Sequence, residues 1–205
     1  MTNCTSLESL AFFDNSLTGS LPDSIGNLSS RLSYLSIGRN QLHGRIPSSN
    51  LLGLTSLDIE RNDLEGPIPF SIGKLMKLQE IYLGANRLTH ELPFSFGNLT
   101  VLDHLYLMPN DFHGNIPRSL SNCSNLLTLD VSRNNINGSI PPEIMSLSSI
   151  SVSFSLAYNT FRGAIPSEVE SLTNLVNLDL SHNRLSGSIP NSLSRLHNAR
   201  KASPE

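Results

Sequence analysis

The stretch Leu7-Glu8-Ser9-Leu10-Ala11-Phe12-Phe13-Asp14-Asn15-Ser16-Leu17-Thr18-Gly19-Ser20-Leu21-Pro22 decides the fold, because its pattern returns along the rest of the chain. Written as L-x-x-L-x-L-x-x-N-x-L-x-G-x-I-P, it recurs eight times. The asparagine column is Asn15, Asn40, Asn62, Asn86, Asn110, Asn134, Asn159 and Asn183, and the proline column runs unbroken from Pro22 to Pro190. The glycine column, from Gly19 to Gly187, has one departure, His90. A unit this short cannot bury an apolar face alone, so repeats in register mean stacked coils that share one core.

Each column has a physical reason. Period-2 alternation in the L-x-L segment turns Leu10 and Phe12, or Leu105 and Leu107, inward and their neighbours outward, and such strands stack as a parallel sheet. Asparagine follows each strand where the turning backbone would otherwise bury unpaired groups; its amide both donates and accepts, so a stacked column can satisfy them. Glycine next allows unusual dihedrals and close approach between coils. The Ile-Pro step then opens a short helical turn. Segments such as Ser71-Ile72-Gly73-Lys74-Leu75 carry apolar residues three apart, one inward face of a 3₁₀ or short α turn. Two repeats break register. Asn40 to Asn62 is two residues short, around Ser48-Ser49-Asn50-Leu51-Leu52-Gly53; Asn134 to Asn159 is one longer, so that Ile150 or Val152 fills the slot where Ser151 falls.

Composition narrows the partners. The 205 residues carry 14 Lys+Arg, only 3 of them Lys, against 17 Asp+Glu. That balance lacks the footprint of a nucleic-acid binder, and no run approaches the 18 or so apolar residues of a membrane helix. Met1-Thr2-Asn3-Cys4-Thr5-Ser6 has neither the charged nor the apolar part of a secretory signal. The six histidines show no metal-ligand spacing. G-x-S-x-G, a phosphate loop and G-x-G-x-x-G are all missing, so no cofactor, metal or covalent chemistry is expected. Cys4 and Cys123 share a column five coils apart, about 24 Å at strand spacing, and cannot bridge.

At L-x-G-x-I-P the chain resembles the plant class of leucine-rich repeats and looks like the ectodomains of plant receptor-like kinases. Ser153-Phe154-Ser155-Leu156-Ala157-Tyr158-Asn159 and Leu175-Val176-Asn177-Leu178-Asp179-Leu180-Ser181-His182-Asn183 are most similar to the immune-receptor branch, which includes rice bacterial-blight resistance receptors. The resemblance implies an α/β architecture: a right-handed leucine-rich-repeat solenoid of about eight repeats, with a parallel β-sheet on the concave face and short 3₁₀ or α turns on the convex face. Residues 1–196 are expected to form it, uncapped, with 197–205 as a polar tail. The chain reads as a slice of a longer ectodomain, or a truncated paralogue, whose terminal coils open before the central ones. The kinase signatures are missing; Asp111-Phe112-His113-Gly114 is the repeat's own register.

The resemblance also implies function: a module at the extracellular face of the plasma membrane, or in the apoplast, that recognises a peptide or protein on its concave face, with a co-receptor near the C-terminal repeats. It does no catalysis, binds no nucleic acid and inserts no part of this chain in a membrane. The alternative is a soluble secreted inhibitor of a cell-wall-degrading enzyme, like the polygalacturonase-inhibiting proteins of the same repeat class. Asn3, Asn27, Asn98, Asn122 and Asn137 stand in glycosylation sequons, about as many as composition alone supplies. The outward strand positions hold eight acids (Glu8, Asp14, Asp58, Glu60, Glu80, Asp103, Asp130, Asp179) and three bases (Arg39, Arg61, Arg133), so the concave face is expected to be negative. Tyr82 and Tyr106 share an outward column in adjacent repeats, flanked by His104 and Met108. Asp58, Glu60 and Arg61 adjoin from the third repeat. Exposed tyrosine on a rigid sheet supplies contact area at little entropic cost, which makes these seven the candidate ligand contacts.

Overall fold

A computed structural model describes residues 5–195. The L-x-L segments form eight parallel strands in one sheet, in chain order: Ser9–Ala11, Tyr34–Ser36, Ser56–Asp58, Glu80–Tyr82, His104–Tyr106, Thr128–Asp130, Ser153–Ser155 and Asn177–Asp179. Their central residues, such as Leu57, Ile81, Leu105, Leu129 and Phe154, pair in register and are buried. The residues two positions on, such as Ile59, Leu83, Leu107 and Leu156, are buried too. The alternation of the sequence is therefore the alternation of the sheet.

The asparagine column forms one ladder. Asn110, buried, donates its amide to the carbonyls of Leu107 (2.8 Å) and of Leu83 in the preceding coil (3.0 Å), and its Oδ1 accepts the N–H of Leu88 (2.9 Å). Asn40, Asn62, Asn86, Asn134, Asn159 and Asn183 repeat this two-coil clasp. Asn15, in the first described coil, is exposed, and among the described residues its side-chain amide bonds its own turn alone, at the Phe12 and Phe13 carbonyls. The residue before each asparagine has a left-handed backbone, with φ between 52° and 58°, in seven of the eight repeats. The eighth is Pro109, whose ring excludes positive φ.

The Leu-x-Gly segments contribute more than a turn. They pair as further parallel ladders on the flank: Thr18–Ser20, Gln41–Arg45, Asp63–Gly66 and Arg87–Leu88 in one sheet, then His113–Gly114 with Asn135–Ile136, and Arg162–Gly163 with Arg184–Leu185. The glycine column serves its positive φ; His90 adopts the same conformation at φ 70°. Close approach belongs to other glycines. A Cβ on Gly73, on the convex side, would lie 2.5 Å from the carbonyl oxygen of Ser95 in the next coil.

On the convex side, five-residue 3₁₀ turns follow the prolines, as in Phe70–Lys74 and Phe94–Asn98. The proline is extended (ψ 138° at Pro69), and its carbonyl accepts the N–H three residues on. The two irregular repeats adjust here and at the strand entry. The short one has no helix across 48–55. The long one has a single α-helical turn, Pro142–Met145, and then places Ile150 wholly in the core while Val152 stands 48% exposed. Ile150 fills the slot, and the extra residue is extruded at Val152.

The outermost described coils depart from the expected burial. Phe12, read from the alternation as inward, is 41% exposed, because no described coil covers its side of the core. Leu178, Leu180 and Leu185 at the other end are half-buried. The tail and the sequon at Asn3 lie outside the described residues, as does Cys4.

Candidate functional site

Parallel register sorts the concave surface into two outward rows. One runs Ser9, Tyr34, Ser56, Glu80, His104, Thr128, Ser153, Asn177; the other runs Ala11, Ser36, Asp58, Tyr82, Tyr106, Asp130, Ser155, Asp179. No lysine or arginine stands in any of these eight strands, which hold four carboxylates. A negative face follows from the rows themselves.

At the middle of the sheet the strand spacing of about 4.8 Å brings like residues face to face. The rings of Tyr82 and Tyr106 stack with centroids 5.2 Å apart and planes 9° from parallel. His104 lies nearly parallel to Tyr106 at 6.2 Å. Both tyrosines are half-buried. Met108, two residues past Tyr106, is half-buried as well. Asp58 is the ladder neighbour of Tyr82; its carboxylate accepts the Ser36 hydroxyl (2.7 Å) and the Glu60 N–H (3.1 Å). Burial, and after it the charge of Glu80, the neighbouring Tyr106 hydroxyl and the charges of Asp58 and Glu60, push the Tyr82 hydroxyl above its ordinary pKa.

Six of the seven sequence-chosen residues thus gather at or beside one patch: Tyr82, Tyr106, His104, Met108, Asp58 and Glu60. Arg61 reaches the patch only through Glu60. Its guanidinium lies 3.5 Å from Glu60, which also holds Arg39 at 3.8 Å, an exposed three-membered charge cluster along the strand exits. Glu80 and Thr128 belong to the patch and were not among the seven. The signal for them was available, since both occupy the row of His104. A second aromatic group escaped the sequence reading. Tyr158 and His182 stack at 3.9 Å, and the Arg133 guanidinium lies 4.6 Å over the Tyr158 ring. All three immediately precede a ladder asparagine, in the left-handed column that carries side chains off the strand exits.

The remaining sequence choices fall away from the sheet. Asn27, Asn98 and Asn122 each end a convex 3₁₀ turn and are exposed; Asn137 is exposed on the flank. Cys123 is wholly buried with its thiol near the Phe96 carbonyl, and burial pushes its pKa up to about 12. Among the described residues, no helix is long and apolar enough to cross a membrane.

Repeated coils, an asparagine ladder and a strand-lined concave face define a protein class, and the Leucine Rich Repeat family model matches residues 6–28, 53–75, 77–99, 125–147 and 174–196. The chain belongs to that family. It is similar to the receptor kinase-like protein Xa21 of Oryza sativa subsp. japonica, 44% identical over 59 residues, which is 28% of this chain and 6% of Xa21. Its fold matches the plant peptide hormone receptor RGFR1 solved with RGF2, at a TM-score of 0.94 and 36% identity over 97% of this chain and 32% of that one. It also matches the Arabidopsis receptor kinase HAESA solved with the peptide hormone IDA and the co-receptor SERK1, at a TM-score of 0.78 and 31% identity over 96% and 41%. These matches bear out the resemblance to plant leucine-rich-repeat receptor ectodomains. The chain spans 12% or less of the length of the first curated relatives it matches.

Proposed function

We propose that this chain is the ligand-recognition part of a plant cell-surface receptor, which lays an extended peptide or protein segment across the concave sheet and does no chemistry on it. The observation that carries the reading is the Tyr82–Tyr106 stack, half-buried at the centre of a sheet whose backbone is fixed by hydrogen bonds on both sides. Rigid aromatic area of this kind supports binding with little ordering cost. The four described sequons lie off the concave sheet, which leaves it open to a partner even when they carry glycans. Cys123, with its thiol buried and its pKa raised, is a packing residue and not a nucleophile. Similarity to receptors solved with peptide hormones favours this reading over a secreted enzyme inhibitor. By the same similarity, the proposal extends to a co-receptor as a second partner and to an extracellular location.

Phage-displayed random dodecapeptides selected on the full chain test the proposal. Recovered peptides are expected to lose at least about tenfold in affinity, or about 1.4 kcal/mol, against Tyr82→Ala/Tyr106→Ala. Peptides that bind the double variant as tightly as the wild type overturn it.

A further inference from the structure

The carboxylates around the tyrosine stack are not matched by cations. Glu60 is held by Arg39 and Arg61, and Arg133 sits over Tyr158. Asp58, Glu80 and Asp130 have no ion pair among the described residues; they accept hydrogen bonds from the Ser36 and Ser56 hydroxyls and the Glu60 and Ser132 N–H groups. All three stand in the outward rows on or next to the tyrosine strands: Asp58 beside Tyr82, Asp130 beside Tyr106, and Glu80 beside His104. They bracket the stack on both sides.

Two polar atoms at the same place lack partners. The His104 Nδ1 and the Thr128 hydroxyl are neighbours in one outward row; both are buried without a hydrogen bond, and Thr128 has no exposure at all. Buried polar groups are ordinarily satisfied, so an orphaned pair in the row beside the half-buried tyrosine stack sets this place apart from the rest of the sheet.

We infer that the concave site takes a basic peptide segment, with an arginine side chain laid against Tyr82 and Tyr106 between Asp58, Glu80 and Asp130. This deepens the proposed function and rests on it. Arginine fits better than lysine, because its planar guanidinium stacks on an aromatic face while its N–H fork meets carboxylates. Lysine, a neutral residue and an acidic residue are the outcomes the inference excludes as preferred.

The test uses capped dodecapeptide mixtures with randomised flanks and a central Arg, Lys, Ala or Glu, titrated against the full chain. The expected order is Arg over Lys over Ala, with Arg about tenfold tighter than Ala and Glu weakest. The isosteric Asp58→Asn/Glu80→Gln/Asp130→Asn variant should bring the Arg and Ala mixtures to equal affinity while sensitivity to Tyr82→Ala/Tyr106→Ala remains. A salt series on the wild type is the second readout: affinity for the Arg mixture should fall as salt rises, and for the Ala mixture it should not. Tyrosine-dependent binding that is indifferent to the central residue, or that favours Glu, overturns the charge inference and leaves the recognition module standing. No tyrosine-dependent binding of any mixture overturns both.

Discussion

One asparagine per coil does work that no apolar residue could. The left-handed residue before it turns the chain inward, and the amide then joins the carbonyls of two coils to the N–H of a third segment. Removing a buried clasp orphans one backbone N–H, that of Leu88, and takes one donor each from the Leu83 and Leu107 carbonyls, which keep Asn86 and Asn134. Asn110→Ala is therefore expected to cost about 3 kcal/mol by chemical denaturation, against under about 0.5 kcal/mol for the exposed Asn15→Ala. Equal costs would contradict the ladder. Cys123 gives a pH signature. Its thiol titrates near 12 when folded and near 9.0 ordinarily, so the unfolded chain loses that proton first as pH rises. The stability it contributes is whole below pH 9 and is lost between 9 and about 12. Wild-type stability should fall more steeply than that of Cys123→Ala across this window, and parallel curves would refute the shift. The ladder was legible because each coil supplies one asparagine at one register position. The pairing of Arg61 with Glu60 was not, because the choice among side-chain rotamers on an exposed rim leaves no trace in a repeat pattern.

At the scale of the element, the repeat's columns translate directly into strand, turn and 3₁₀ segment, and the informative places are the exceptions. The flank ladders formed by the Leu-x-Gly segments were not read from sequence, since two- to five-residue strands in or beside a glycine step look like turns. The extra residue near Ile150 left two apolar candidates for one inward slot, and only packing decides between them. Ile150→Ala should cost about 3 kcal/mol, in the range for emptying a buried aliphatic site, and Val152→Ala under about 0.5 kcal/mol. The reverse order in thermal or denaturant melts would place the extrusion on the wrong residue. The stack of Arg133, Tyr158 and His182 escaped for a related reason: its column carries varied residue types, and what unites them is a backbone conformation rather than a letter.

For the whole molecule, stacking makes stability a sum of neighbouring interfaces. Coils with Leu105, Leu129 and Phe154 wholly buried should exchange their amides last, and those with Phe12, Val176 and Ile189 at 41%, 61% and 75% exposure first. Uniform protection along the chain would contradict this. The same stacking makes function a property of rows. Tyr82 and Tyr106 meet because a parallel sheet in register aligns equivalent positions, which is why both their shared column and the excess of acids around it could be read from the sequence. Tyrosine emission tests the central claim most directly, since the chain has four tyrosines and no tryptophan. In a Tyr34→Phe/Tyr158→Phe variant, Tyr82 and Tyr106 are the remaining fluorophores, and a bound peptide free of Tyr and Trp should change their emission and shield them from acrylamide quenching. Saturation with such a peptide that leaves emission and quenching unchanged would place the ligand elsewhere and contradict the account.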